Sequence, residues 1–154
     1  MFLYLVQHAE AKKEEEDPTR SLSEDGLHTI QKTSRFFAKQ GLKVHKIFHS
    51  NKLRARQTAE VLAEYLKPEQ GVSEIDGLAP LDDPKIWHER LKGVPEDVIL
   101  VGHLPHLARL ASLLVCEREK SDIISFQMAG IVCLKRDDSG AYALQWMVTP
   151  EITS

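Results

Sequence analysis

Two apolar runs constrain the fold of this chain more than anything else in it. Met1 to Val6 and Val98 to Val101 are too short for a buried helix, and both stop abruptly at polar residues, Gln7-His8 in the first case and Gly102-His103 in the second. Short continuous runs of large apolar side chains read as strands covered on both faces, the situation of strands in a parallel sheet packed between helices. In such sheets the residues just beyond the carboxyl ends of the strands line the ligand-binding edge. The two histidines therefore stand where chemistry is expected.

The segments between and after these runs supply the helices. Glu10 to Thr19 is charged and irregular, with Glu14, Glu15 and Glu16 followed by Asp17-Pro18, and reads as a solvated loop. Ser21-Leu22-Ser23-Glu24 offers either a capping box or a plain Ser23 cap for a helix whose apolar stripe is Leu27, Ile30, Ser34 and Phe37, stopping at Gly41. Lys46 to His49 predicts a short strand. A second helix carries Ala55, Ala59, Leu62, Ala63 and Leu66 on one face and ends before Pro68. Ser73 to Ile75 predicts a third strand, Asp76 to Asp83 a loop, and Ile86 to Leu91 a short helix. Leu107, Leu110, Ala111 and Leu114 mark the helix after His103. Gly130 to Lys135 and Tyr142 to Val148 flank the turn sequence Asp137-Asp138-Ser139-Gly140 and predict a closing hairpin. Alternating strands and helices followed by a hairpin predict an α/β fold: one domain over residues 1–154, a three-layer α/β/α sandwich whose mainly parallel sheet has an antiparallel edge.

Charge and composition remove several classes of function. The chain carries 20 Lys and Arg against 23 Asp and Glu, a net charge of −3 that lacks the basic field of a nucleic-acid binder. No apolar run approaches the roughly 18 residues of a membrane span, and the N-terminal run lacks a basic leader, so neither membrane nor export is expected. Cys116 and Cys133 sit in apolar contexts and predict two buried thiols in a reducing cytoplasm.

Four side chains converge on the carboxyl edge of the predicted sheet: His8 after the first strand, Arg20 before the first helix, Arg54 at the start of the second helix, and His103 after the fourth strand. Two imidazoles and two guanidiniums make a pocket for a small dianion. A guanidinium fork matches phosphate oxygens, and charge-assisted contacts of this kind contribute about 1.5–3 kcal/mol each. Neighbouring arginines also disfavour a further positive charge, which keeps His8 neutral and able to attack phosphorus. Phosphoryl transfer to His8, then hydrolysis of the phosphohistidine, is the resulting scheme, and it calls for no metal and no cofactor.

The same residues carry a resemblance. Val6-Gln7-His8-Ala9-Glu10 resembles the Arg-His-Gly signature of the histidine phosphatase superfamily, Ser50-Asn51-Lys52-Leu53-Arg54-Ala55-Arg56-Gln57-Thr58-Ala59 is similar to its second signature, and Val101-Gly102-His103-Leu104-Pro105 resembles its second-histidine motif. The small size and Arg20-Ser21-Leu22-Ser23 are similar to the phosphohistidine phosphatase, or SixA-type, branch. The resemblance implies the phosphoglycerate mutase-like fold. It also implies a phosphatase acting on phosphorylated histidine in a protein, typically a histidine phosphotransfer domain. His8 is then the catalytic histidine, Arg20 and Arg54 bind phosphate, and His103 is the second histidine.

Two departures bear on activity. Gln7 stands where the family has Arg; its amide can donate hydrogen bonds to substrate but brings no charge, and losing one donor from a transition-state site costs about 10²–10³ in rate. A weakened enzyme and a phosphoprotein-binding module without hydrolysis are both consistent with that change. Pro80 stands about where larger relatives place a general acid, which favours a phosphoramidate over a phosphate ester, a small phosphomonoester remaining the third substrate class. Asp82 and Asp83, before Pro84, read as a helix cap. Arg56 is expected on the surface, His106 exposed or at the pocket mouth, and His45 and His49 outside the chemistry. The His103-Leu104-Pro105-His106 spacing could ligate a metal, but no cysteine pair or glutamate accompanies it.

Overall fold

The N-terminal apolar run forms β1 (Phe2–Gln7) at the heart of a six-stranded sheet. A computed structural model describes residues 1–120 and 123–153 of the chain; Ser154, at the end of the expected domain, lies outside them. After β1 come α1 (Glu24–Lys39), β2 (Lys46–His49), α2 (Leu53–Leu66), β3 (Val72–Glu74), α3 (Lys85–Arg90), β4 (Val98–Gly102), α4 (His106–Cys116), β5 (Ile131–Arg136) and β6 (Tyr142–Val148). The strand order is β3-β2-β4-β1-β5-β6. β1, β2, β3 and β4 pair in parallel, while β5 runs antiparallel to both β1 and β6. This is the predicted α/β sandwich.

Strand alternation divides the core in two. Tyr4 and Val6 of β1 meet Ile30 and Phe37 of α1 and Ala55, Ala59 and Leu62 of α2 on one face of the sheet. Leu3 and Leu5 meet Trp87 of α3 and Leu107, Leu110 and Ala111 of α4 on the other. Burying both faces of β1 and β4 explains why those runs contain nothing but apolar residues until they reach the edge.

The helix ends obey local chemistry. Ser23 is a plain N-cap, its Oγ accepting from the Gly26 amide at 3.0 Å, and its own hydroxyl donates to the Glu10 carboxylate at 2.7 Å. The N-cap of α3 is Pro84 rather than the expected Asp82 or Asp83; Asp83 accepts from the Lys85 amide at 3.0 Å in the turn before it, and Asp82 accepts from the Ala79 amide. Two further expectations fail. Leu27, expected in the buried stripe of α1, is 42% exposed, because it lines an open groove with Leu22, Leu53 and Val61. Cys116 is exposed, since it is the last residue of α4 and emerges as the chain turns left-handed at Glu117; only Cys133 is buried.

Gly26 has a steric duty. A Cβ there would overlap the carbonyl oxygen of Glu10, a backbone atom that cannot swing aside. The first turn of α1 thereby rests directly on the segment just past His8, and the Ser23 amide donates to the same Glu10 carbonyl at 3.0 Å. Helix propensity alone favours Ala over Gly by about 1 kcal/mol, so an overlap large enough to reverse that sign is diagnostic. Gly26→Ala should lower Tm by about 3–10 °C, as overpacking of about 1–3 kcal/mol implies for a chain of this size. Gly93→Ala, whose methyl would meet nothing within 4 Å, is the control and should shift Tm by less than about 2 °C. Thermal unfolding followed by circular dichroism decides; equal midpoints would remove the steric argument.

Candidate active site

The parallel register of β1 and β4 sets the site. Gln7 pairs with Gly102, so both strands end at the same level. The His8 amide carries the ladder one residue further by donating to the Gly102 carbonyl at 3.0 Å. The rings of His8 and His103 consequently face one another with centroids 5.0 Å apart. Both residues are almost fully buried, at 9% and 2% exposure.

The tautomer of His8 is set by its hydrogen bond. Nδ1 lies 2.7 Å from the Ala9 carbonyl, which can only accept, so Nδ1 carries the hydrogen and Nε2 the lone pair. Burial is the largest influence depressing its pKa; the Ala9 contact opposes that, and the Arg54 and Arg20 guanidiniums add to the depression. The His103 imidazole is pushed further, to about 3, first by burial and then by His8, Arg54 and Lys52. Both rings are therefore neutral near pH 7.

Arg54 leaves the first turn of α2. Its Nε is buried without a partner, and burial followed by the nearby Arg20 lowers its own pKa. Thr58, one turn later, donates to the Arg54 carbonyl at 2.7 Å and accepts from the Ala9 amide at 3.0 Å. One hydroxyl thus ties the helix bearing Arg54 to the segment bearing His8. Arg20 reaches the site from the loop between β1 and α1 in a left-handed conformation, φ 50°, that non-glycine residues seldom adopt. Asp17 holds that turn by accepting from the amides and hydroxyls of Thr19 and Ser21, bonds that keep its carboxyl well below the usual range. Arg20 Nε donates to the Lys12 carbonyl at 3.0 Å. Strain of this sort persists only where the surroundings over-determine it and clusters at functional positions.

Gln7 closes β1, its Oε1 buried and without a partner. Rotating the carboxamide exchanges that oxygen for the NH₂, so the side chain can present either an acceptor or a donor. Together with Arg54 Nε and His103 Nδ1, also buried and unpartnered, it leaves a concentration of unmet polar groups beside His8. Buried polar atoms in native proteins are ordinarily satisfied, and an oxyanion accepting from Arg54 and His103 would satisfy them here.

Ser50 is the contributor that sequence reasoning passed over. Its Oγ lies 2.6 Å from His103 Nε2 and accepts from the Lys52 amide at 3.2 Å. The available signal was its place, immediately after a strand at the functional edge. His106, expected exposed or at the pocket mouth, is instead completely buried with both ring nitrogens unpartnered. As the first residue of α4 it is carried down with the helix's apolar face, near Asp82, Asp83 and Arg109. Arg56 is on the surface, paired with Glu60 at 3.0 Å. His45 meets Glu69, and His49 Nδ1 meets the Ser50 carbonyl. Among the described residues no group of three or more His, Cys, Asp or Glu is arranged to hold a metal ion, and no helix is long and apolar enough to cross a membrane.

Comparison with known proteins fits this geometry. Residues 3–82 match the profile of the histidine phosphatase superfamily (branch 1). An uncharacterized protein of Picosynechococcus sp. PCC 7002 is 33% identical over 153 residues, spanning 94% of this chain and 89% of that one. Phosphohistidine phosphatase SixA of Escherichia coli K12 is 23% identical over 155 residues, spanning 97% and 94%. A structure of the protein histidine phosphatase SixA with tungstate superimposes with a TM-score of 0.85 over 97% of each chain at 23% identity. A mycobacterial glucosyl-3-phosphoglycerate phosphatase with VO3 does so with a TM-score of 0.77 at 15% identity, covering 96% of this chain and 99% of that one.

Two measurements check the electrostatics. An unfolded histidine takes up its proton near 6.5, whereas folded His103 holds none until about 3. Between those values the folded state binds fewer protons, so stability falls as pH drops through that window. In phosphate-free buffer, urea unfolding at pH 5 should show stability on the order of 1–2 kcal/mol lower than at pH 7.5, and His103→Asn should shrink the difference. A pH-independent midpoint would contradict the buried neutral ring. Separately, inorganic phosphate should raise Tm, and Arg20→Ala or Arg54→Ala should each weaken its binding by about 10–100-fold, the loss of one charge-assisted contact. Unchanged phosphate affinity in both variants would place the anion elsewhere.

Proposed function

The chain belongs to the histidine phosphatase superfamily, and from that premise we propose that it removes phosphate from a phosphorylated histidine of a protein, by way of a covalent phosphohistidine on its own His8. The observation that carries the reading is the pairing of a neutral His8, whose Nδ1 is committed to the Ala9 carbonyl, with unpartnered buried groups on Arg54 and His103. The first is a nucleophile in the right tautomer. The second are groups held in place for charge that develops on a transferring phosphoryl group.

The chemistry takes two steps. His8 Nε2 attacks phosphorus as the P–N bond to the substrate imidazole breaks, and the departing imidazole keeps or gains a proton. Water then attacks the phosphorus of phospho-His8, the new P–N bond breaks, inorganic phosphate leaves, and the His8 lone pair is restored. Arg20, Arg54 and His103 stabilise the equatorial oxygens in both steps, with Ser50 orienting His103. No metal enters the scheme.

The leaving group is where the phosphohistidine assignment gains support. In the loop after β3, Asp82 Oδ2 accepts from the Ala79 amide at 3.0 Å and Asp83 Oδ1 from the Lys85 amide, while Pro80 offers no acid. Both carboxylates are occupied in structural turns. An alkoxide would need a general acid, whereas a protonated imidazole leaves without one. The name of the Escherichia coli relative points to the same substrate class.

Gln7 favours one further reading, a module that binds phosphorylated protein and barely hydrolyses it. Incubation with a histidine-phosphorylated phosphotransfer domain should release inorganic phosphate, and His8→Ala should abolish release while the fold is retained. Continued turnover in His8→Ala would exclude the covalent route. Gln7→Arg should raise turnover by at least about tenfold by adding a charged donor; binding without phosphate release in both the parent and that variant would establish the binding module instead.

A further inference from the structure

We infer that the groove between α1 and α2 receives an apolar side chain of the phosphorylated protein, one helical turn from the histidine that carries the phosphate; the inference rests on the function proposed above. The groove has a volume of about 450 Å³, with Leu22, Leu27, Leu53 and Val61 as its apolar lining and Arg56, Gln57 and Glu60 as its polar lining.

Continuity with the anion site is the first argument. Leu22 lies two residues after Arg20, and Leu53 immediately precedes Arg54. Successive residues of an α-helix diverge by about 100°, so the first turn of α2 sends Leu53 toward the groove and Arg54 toward His8. The groove and the phosphate site are thus joined through the first turn of α2, Leu53 lining the one and Arg54 belonging to the other.

Leu27 is the second argument. Ile30 and Phe37, later residues of the same apolar stripe of α1, are buried, but Leu27 is left 42% exposed against the groove. An apolar patch bordered by polar residues, here the Arg56–Glu60 pair at 3.0 Å, has the anatomy of a protein interface. A hydrophilic phosphate ester has nothing to place in it. A helix bearing phosphohistidine does: residues three or four positions away share its face, about 5–6 Å along, and an apolar one there would enter the groove as the phosphate enters the pocket. The occupant is therefore the substrate's own amphipathic helix.

Leu27→Glu puts a carboxylate into the groove without touching the anion site, and Leu27→Met keeps it apolar. The probes are imidazole phosphate, which is too small to reach the groove, and a histidine-phosphorylated four-helix phosphotransfer domain. For Leu27→Glu we expect KM for the domain to rise at least tenfold with kcat little changed, and imidazole phosphate turnover to stay within twofold of the parent; Leu27→Met should resemble the parent on both. An unchanged KM for the domain in Leu27→Glu overturns the inference. So does a parent kcat/KM that is no higher for the domain than for imidazole phosphate, or a dimer in sedimentation that Leu27→Glu dissociates, which would assign the groove to a second copy of this chain. Failure of the parent to hydrolyse either probe would instead overturn the phosphatase reading, and the docking with it.

Discussion

The site depends on one contact: the parallel ladder between β1 and β4. Because the two strands run the same way and end in register, the residues just beyond them must emerge at the same edge, and each strand delivers an imidazole there. An antiparallel pairing of the same runs would have sent the rings to opposite ends of the sheet. The two half-cores on either face hold this register, since a slip of one residue would turn Tyr4 and Val6 out of one core and Leu3 and Leu5 out of the other.

Around that pair the chain assembles an environment rich in buried donors and positive charge. Burial first, and neighbouring positive charge second, depress the pKa values of His8, His103 and Arg54, and buried polar atoms on Arg54 and His103 go without partners. The surrounding framework holds these groups in place through backbone bonding. Asp17 organises the turn that holds Arg20 left-handed, Thr58 joins α2 to Ala9, and Gly26 allows α1 to rest on Glu10. Each of these residues acts through another rather than on a ligand. A site pre-organised this way needs no rearrangement of charge when a tetrahedral anion arrives.

The same economy bears on substrate choice. Asp82 and Asp83 are drawn into turns, and in the function we propose the leaving group brings its own proton. In the docking we propose, the first turn of α2 links recognition of the anion to recognition of the protein that carries it. Attachment of Leu53 and Arg54 to one rigid helix fixes the distance between the two, which is the property a docking groove needs.

Much of this was legible in the sequence because periodicity and punctuation are local. The apolar runs of β1 and β4, the stripe of α2, the Ser23 cap, the β5–β6 hairpin and the three motifs containing His8, Arg54 and His103 all declare themselves within about ten residues, the range over which side-chain alternation and capping act. Sequence alone therefore determined the α/β class and nominated the residues at the sheet edge. Other features depend on neighbours remote along the chain. Ser50 matters because β2 lies beside β4, and Gly26 because α1 crosses the backbone after His8. His106 is buried and Leu27 exposed according to what packs against each helix from elsewhere in the chain. The depressed pKa values of the two imidazoles likewise exist only once burial removes water and folding brings Arg20 and Arg54 alongside. Tertiary structure decided these, because desolvation and contact between distant side chains have no counterpart in the linear order of residues.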